Sequence, residues 1–139
     1  MKLAIIGSRG LTDYGWFKQQ VYNHLFHEDM DGDGGTTQWF GMREVISGGA
    51  AGADQFAARL VREWNEQTGN EIKLTEHLPN WDLYGKRAGF VRNELIIKDA
   101  DMVLAFWGVD PKTGEYSRGT GHSLSIAKRM KKTSLIVYF

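Results

Sequence analysis

Short apolar runs alternate with amphipathic stretches along this chain. Leu3-Ala4-Ile5-Ile6 is a continuous apolar run that stops abruptly at Gly7-Ser8-Arg9-Gly10, the pattern of a strand buried on both faces. Thr12 or Asp13 can cap the helix that follows. In it Phe17, Val21, His24 and Leu25 keep to one face, and the pattern ends near His27. Residues 29–41 are irregular. Glu44-Val45-Ile46 reads as a second short strand and runs into Ser47-Gly48-Gly49-Ala50-Ala51-Gly52-Ala53-Asp54. Phe56, Ala57, Leu60, Val61 and Trp64 then describe the clearest amphipathic helix of the chain, ending at Gly69-Asn70.

The second half repeats the alternation. Ile72 to His77 suits a third strand at a sheet edge, and Trp81 to Gly89 reads as a loop or a helix start. Ala88, Val91, Leu95 and Ile96 mark a third helix, and Met102 to Phe106 a fourth strand. A long loop runs from Gly108 to Arg118. Thr120, Leu124, Ala127 and Met130 or Lys131 mark a fourth helix, and Leu135 to Tyr138 a fifth strand. Strand–helix alternation of this kind predicts a single α/β domain over residues 1–139: an open, mostly parallel five-stranded sheet with helices on both faces. Ligands bind such sheets beyond the carboxyl ends of the strands, where the strand order reverses. That rule singles out loops 7–13, 47–54, 78–93 and 107–121.

Composition narrows the function classes. Hydrophobic residues are 42% of the 139, enough for a core without staples, and the 17 glycines with only two prolines suit tight strand-to-helix turns. The absence of Cys excludes thiolate catalysis and disulfides. Lys+Arg and Asp+Glu both number 17, which argues against nucleic acid or an anionic membrane held by bulk charge. No run approaches the ~20 apolar residues of a membrane span, and the N-terminus lacks the pattern of a signal peptide. The expectation is a cytoplasmic protein with no membrane partner.

The glycine-rich turns carry the candidate chemistry. Ser47 to Asp54 joins a strand directly to a helix, where free amides and the helix dipole suit a phosphate; the same glycines also serve a turn for its own dihedrals. It is neither a Walker A loop nor the three-glycine dinucleotide fingerprint. Ser8 can donate to phosphate or ribose, and Arg9 can either grip phosphate as a fork or pair with Asp54 or Asp13. Ser117-Arg118-Gly119-Thr120-Gly121 opens the last helix as a second anion nest.

These strings occur in order across nearly the whole chain: Gly7-Ser8-Arg9, the 47–54 turn, Trp81…Gly85-Lys86…Ala88-Gly89…Arg92-Asn93, and Ser117-x-Gly119-Thr120. In this the chain resembles the SLOG superfamily of Rossmann-like domains, most of all its YspA-like branch, and more distantly the Lonely Guy phosphoribohydrolases and DprA. The resemblance implies a pocket for a nucleotide or nucleotide-derived ligand, nicotinamide- and ADP-ribose-type compounds among the candidates. Carried over, Gly7, Ser8, Arg9, Ser47, Gly48, Gly49, Gly52, Asp54, Arg92, Asn93, Gly119 and Thr120 would line or shape it. The Lonely Guy enzymes carry a catalytic Glu where this chain has Ser123, so the resemblance implies binding rather than phosphoribohydrolase activity. Residues 29–41 look like an insertion relative to the family core.

Other residues leave alternatives open. Cleavage of a nucleoside-phosphate N-glycosidic bond would need a carboxylate, and Asp54, Glu94 and Glu115 are the candidates. Single-stranded DNA binding would need a basic groove with stacking rings. Trp81, Tyr84 and Trp107 can stack on a base or simply pack under their loops. Asp29 to Gly34 begins like a calcium loop, but Phe40 stands where a bidentate Glu is needed, so no metal is expected. His122 can touch a ligand. Lys128, Arg129, Lys131 and Lys132 suit the end of the last helix. No cofactor beyond the nucleotide-type ligand is expected. A homo-oligomer is an open expectation, since small domains of this kind often share pockets across interfaces, and Trp39-Phe40 could pack on a neighbouring subunit.

Overall fold

A computed structural model describes residues 1–25, 42–69 and 71–139. The readings made for 29–41, and for the turn at Asn70, lie outside the described residues. Strands and helices alternate as β1 (Lys2–Gly7), α1 (Tyr14–Leu25), β2 (Glu44–Ser47), α2 (Ala53–Thr68), β3 (Lys73–Glu76), α3 (Trp81–Tyr84), a 3-10 turn at Gly85–Arg87, α4 (Ala88–Asp99), β4 (Met102–Trp107), α5 (Arg118–Arg129) and β5 (Thr133–Tyr138). The strands form one sheet in the order β3-β2-β1-β4-β5, and every neighbouring pair is parallel. This is the expected Rossmann-like α/β architecture, parallel throughout, with β3 at an edge.

The alternation of side chains along each strand explains the two layers. In β1, Leu3 and Ile5 point to one face, where Phe17 and Val21 of α1 and Leu60, Val61 and Trp64 of α2 pack on them. Ala4 and Ile6 point to the other, against Ile96 and Ile97 of α4 and Ile126 and Ala127 of α5. A strand covered on both sides must be apolar throughout, hence the unbroken run at 3–6. Each fully buried large side chain contributes about 1.5–3 kcal/mol. Asp13 caps α1 by accepting the Trp16 amide at 3.0 Å, and Gly69 closes α2 in the left-handed conformation.

One local expectation, the inward face of α4, needs correction, and two open readings are made specific. Residues 81–84 form a short helix of their own, capped by Asn80, whose side chain accepts the Leu83 amide at 3.1 Å. Leu95 is exposed, because α4 turns Asn93, Ile96 and Ile97 inward instead. The loop after β4 is a folded-back turn closed by an antiparallel bridge between Val109 and Tyr116.

The end of β1 is packed tightly enough to exclude a side chain. A Cβ on Gly7 would lie 2.6 Å from Ala53 Cβ and 2.8 Å from Phe106 O. Gly7→Ala is therefore expected to lower stability by about 1–3 kcal/mol through overpacking. The check is urea unfolding: the midpoint falls with the slope unchanged, and a wild-type midpoint would refute the close packing.

Candidate functional site

Strand order reverses between β1 and β4. α1 and α2 cross one face of the sheet and α4 and α5 the other, so the loops after β1 and β4 part company. A crevice opens there, beyond the carboxyl ends of the strands. It is a cavity of about 490 Å³, within the size range of small-molecule sites. Gly7 to Gly10 form its floor with Ile6; Asp54 and Ala50 close one side; Arg92, Asn93 and Ile96 of α4 form another. Val109 to Lys112 and the start of α5 complete it.

Hydroxyls organise one wall of the cavity. Gly108 N–H donates to Ser8 Oγ at 2.9 Å, Ser8 donates to Ser117 Oγ at 2.9 Å, and Ser117 donates to Thr120 Oγ1 at 2.9 Å. The chain leaves the Thr120 O–H as its terminal donor on the cavity wall. It also diverts Ser117 from capping α5. The first amide to bond back into α5 is that of Gly121, to Ser117 O at 3.2 Å, so those of Arg118, Gly119 and Thr120 stand ahead of it without a helical acceptor. A Cβ at Gly119 would meet nothing within 4 Å. The positive end of a 12-residue helix thus opens onto the cavity. Arg9 and Lys112 line the same space and make no ion pair among the described residues.

The other nest is already filled. In the 47–54 turn the Ala50 amide donates to Asp54 Oδ2 at 3.1 Å, and the Gly48 amide also faces this carboxylate. The anion at that helix start is thus the protein's own side chain. Burial pushes the Asp54 carboxyl up to about 6, opposed by these amides and by Arg92. Arg92 donates to Gly48 O at 3.0 Å and to Asn93 Oδ1 at 3.2 Å; burial draws its guanidinium below the ordinary range, and Asp54 opposes that. Gly52 has φ +81°, and a Cβ there would meet Ser8 O at 2.6 Å. Its role is to let the turns after β1 and β2 touch.

Of the residues singled out from sequence, Gly7, Ser8, Arg9, Asp54, Arg92, Asn93, Ser117, Gly119 and Thr120 meet at the cavity, with Ser123. Ser47, Gly48, Gly49 and Gly52 shape its surroundings without lining it; Ser47 is fully buried, its hydroxyl without a hydrogen-bond partner. Trp81 and Tyr84 are exposed outside the cavity, and Trp107 packs against Tyr116 and Tyr138. Glu94 pairs with Arg129 at 2.8 Å on the surface, and Glu115 sits exposed beyond the cavity wall. His122 approaches Asn93 Nδ2 at 3.3 Å and packs on Phe90. Sequence reasoning singled out loops 47–54 and 107–121 but did not name Ala50 or the stretch 109–112 within them as ligand-facing, and it passed over Ile96 as a cavity residue. The turn-forming string Asp110-Pro111-Lys112-Thr113-Gly114 was the signal available for 109–112.

The fold and cavity define an open parallel α/β domain with a cation- and amide-lined crevice at its switch point. No helix among the described residues is long and apolar enough to cross a membrane. The chain matches no protein-family model. It is similar to the Gene 61 protein of Mycobacterium phage D29, with 41% identity over 64 residues. That stretch covers 45% of this chain and about half the length of the phage protein.

The raised Asp54 pKa carries a stability signature. The folded state holds this proton more tightly than the unfolded one, so the contribution falls as pH rises from about 4 to about 6, by at most about 1.4 kcal/mol per pH unit. Denaturant titrations at pH 4, 5 and 6 should show this decline in the wild type and its loss in Asp54→Asn. Equal slopes for the two proteins would refute the assignment.

Proposed function

We propose that the crevice binds a nucleotide or nucleotide-derived small molecule through its phosphate. The observation that carries this reading is the uncapped start of α5 opening onto the cavity beside Arg9 and Lys112, cations without ion-pair partners among the described residues. Three cationic side chains (Arg9, Arg92, Lys112) face two carboxylates (Asp54, Asp110), leaving a small positive excess for an anionic guest. The cavity volume accommodates a base and sugar beyond the phosphate, and Ile6, Ile96 and Val109 supply apolar wall for them. Nicotinamide- and ADP-ribose-type compounds belong to the candidate ligands, in keeping with the resemblance noted from the sequence.

A second reading, hydrolysis of an N-glycosidic bond, draws on one observation: Asp54 is the one of the three candidate carboxylates at the cavity. Such a reaction places negative charge close to the anomeric carbon. Ser123 also lines the cavity but offers only a hydroxyl. A mass-spectrometric screen of nucleoside monophosphates, dinucleotides and ADP-ribose derivatives separates the two. A ligand retained intact supports binding; base released by wild type and not by Asp54→Asn supports hydrolysis.

For the tightest compound found in that screen, Arg9→Ala is expected to weaken binding by about 1.5–3 kcal/mol, the range for a hydrogen bond to a charged group. That corresponds to roughly a 10- to 150-fold higher Kd by calorimetry. An unchanged Kd with the fold intact would remove Arg9 from the site.

A further inference from the structure

The inward stripe of α5 changes character along its length. Ile126 and Ala127 belong to the apolar core, whereas Thr120 and Ser123, nearer the helix start and three residues apart on one face, line the crevice. Ser123 is only 4% exposed. A buried hydroxyl is expected to be hydrogen-bonded. The other polar side chains of the wall meet that rule internally. Ser8, Ser117 and Thr120 bond to one another, Asp54 accepts the Ala50 amide, Asn93 accepts from Arg92, and Asp110 accepts the Lys112 amide. The Ser123 hydroxyl has no hydrogen-bond partner among the described residues. It differs from the Ser47 hydroxyl, which is also unpartnered but sealed away from the cavity. An Ala at 123 would continue the stripe without burying a polar group, so packing alone does not call for the serine.

Its depth indicates what it can meet. The helix rises 1.5 Å per residue, so Ser123 lies about 4.5 Å further along the axis than Thr120. In the reading above, the amides of Arg118, Gly119 and Thr120 face the phosphate of the guest. A group that reaches Ser123 therefore stands a few bonds behind phosphorus. In a 5′-phosphorylated nucleotide the ring hydroxyls of the ribose hold that place, and the base lies further off. We propose that Ser123 recognises a ribose hydroxyl of the guest and so selects a ribose 5-phosphate over its deoxy counterparts. This rests on the phosphate reading of the same crevice. A serine hydroxyl both donates and accepts, so it pairs with another hydroxyl in either direction. A deoxy sugar leaves it buried without that partner, which is how a polar group on a cavity wall rejects an analogue lacking its complement.

Titration of the isotope-labelled full chain, followed by NMR, tests this with inorganic phosphate, ribose 5-phosphate and the 2-deoxy and 3-deoxy sugars. Amides of 118–120 should shift with all of them. Ribose 5-phosphate should bind about 2- to 13-fold more tightly than at least one deoxy form, the factor for one neutral hydrogen bond. Ser123→Ala should erase that preference by weakening ribose 5-phosphate alone, with a urea midpoint no lower than wild type. A preference that survives S123A, or a lowered midpoint that marks the hydroxyl as structural, would overturn the proposal. Shifts at 118–120 with equal affinity for all three sugars would refute the role of Ser123 and leave the phosphate reading standing. No shift there with any of the probes would refute both.

Discussion

The site depends on one side chain, Ser8, which ties the carboxyl end of β1 to that of β4. Its amide donates to Phe106 O at 2.9 Å, and its hydroxyl accepts the Gly108 amide while donating to Ser117. Each such bond is worth only about 0.5–1.5 kcal/mol net. Their importance is geometric: they hold together the two loops that the reversal of strand order would otherwise separate. Because Ser117 is engaged with Ser8 and Thr120, it is not a cap for α5, and the amides at that helix start remain available to a guest. The same hydroxyl chain that closes the floor of the crevice therefore leaves the donors of its α5 wall open.

The two glycine-rich helix starts look alike but differ in what faces them. At α2 the turn folds back so that Asp54, in the first helical turn, accepts the turn's own amides. No cavity-facing donors remain at Gly48 and Ala50, and Asp54 becomes a buried carboxyl held beside Arg92. At α5 no acidic residue lies in the first turn, so no carboxylate of that turn competes for the amides. The electrostatic asymmetry of the crevice follows: protein carboxylate satisfied on one side, open donors with Arg9 and Lys112 on the other.

Close approach of backbones makes this arrangement possible. Gly7 meets Ala53 and Phe106, and Gly52 meets Ser8 and Arg9, at distances no side chain would permit. Gly7 and Gly52 thus serve loop-to-loop packing, Gly7 lining the cavity floor as well, while Gly48 lies against the Arg92 side chain and Gly49 against Leu78, behind the cavity wall.

The sequence by itself determined the layer architecture. A continuous apolar run such as Leu3 to Ile6 can be satisfied only by cover on both faces, and period-3.6 stripes such as Leu60, Val61 and Trp64 supply that cover. That Gly7-Ser8-Arg9 would meet Ser117, Gly119 and Thr120 at one crevice was legible because strand-to-helix junctions in such sheets converge on one edge. Local pattern could not reveal which nest was free, since that turns on where the Asp54 carboxylate folds back. Nor could it tell Trp81 and Tyr84, turned outward, from rings over a ligand, or show that α4 buries Asn93 and Ile97 while exposing Leu95. Those outcomes rest on contacts between elements distant in the chain, where packing overrides the local preference that a sequence displays. Only the tertiary structure decided them.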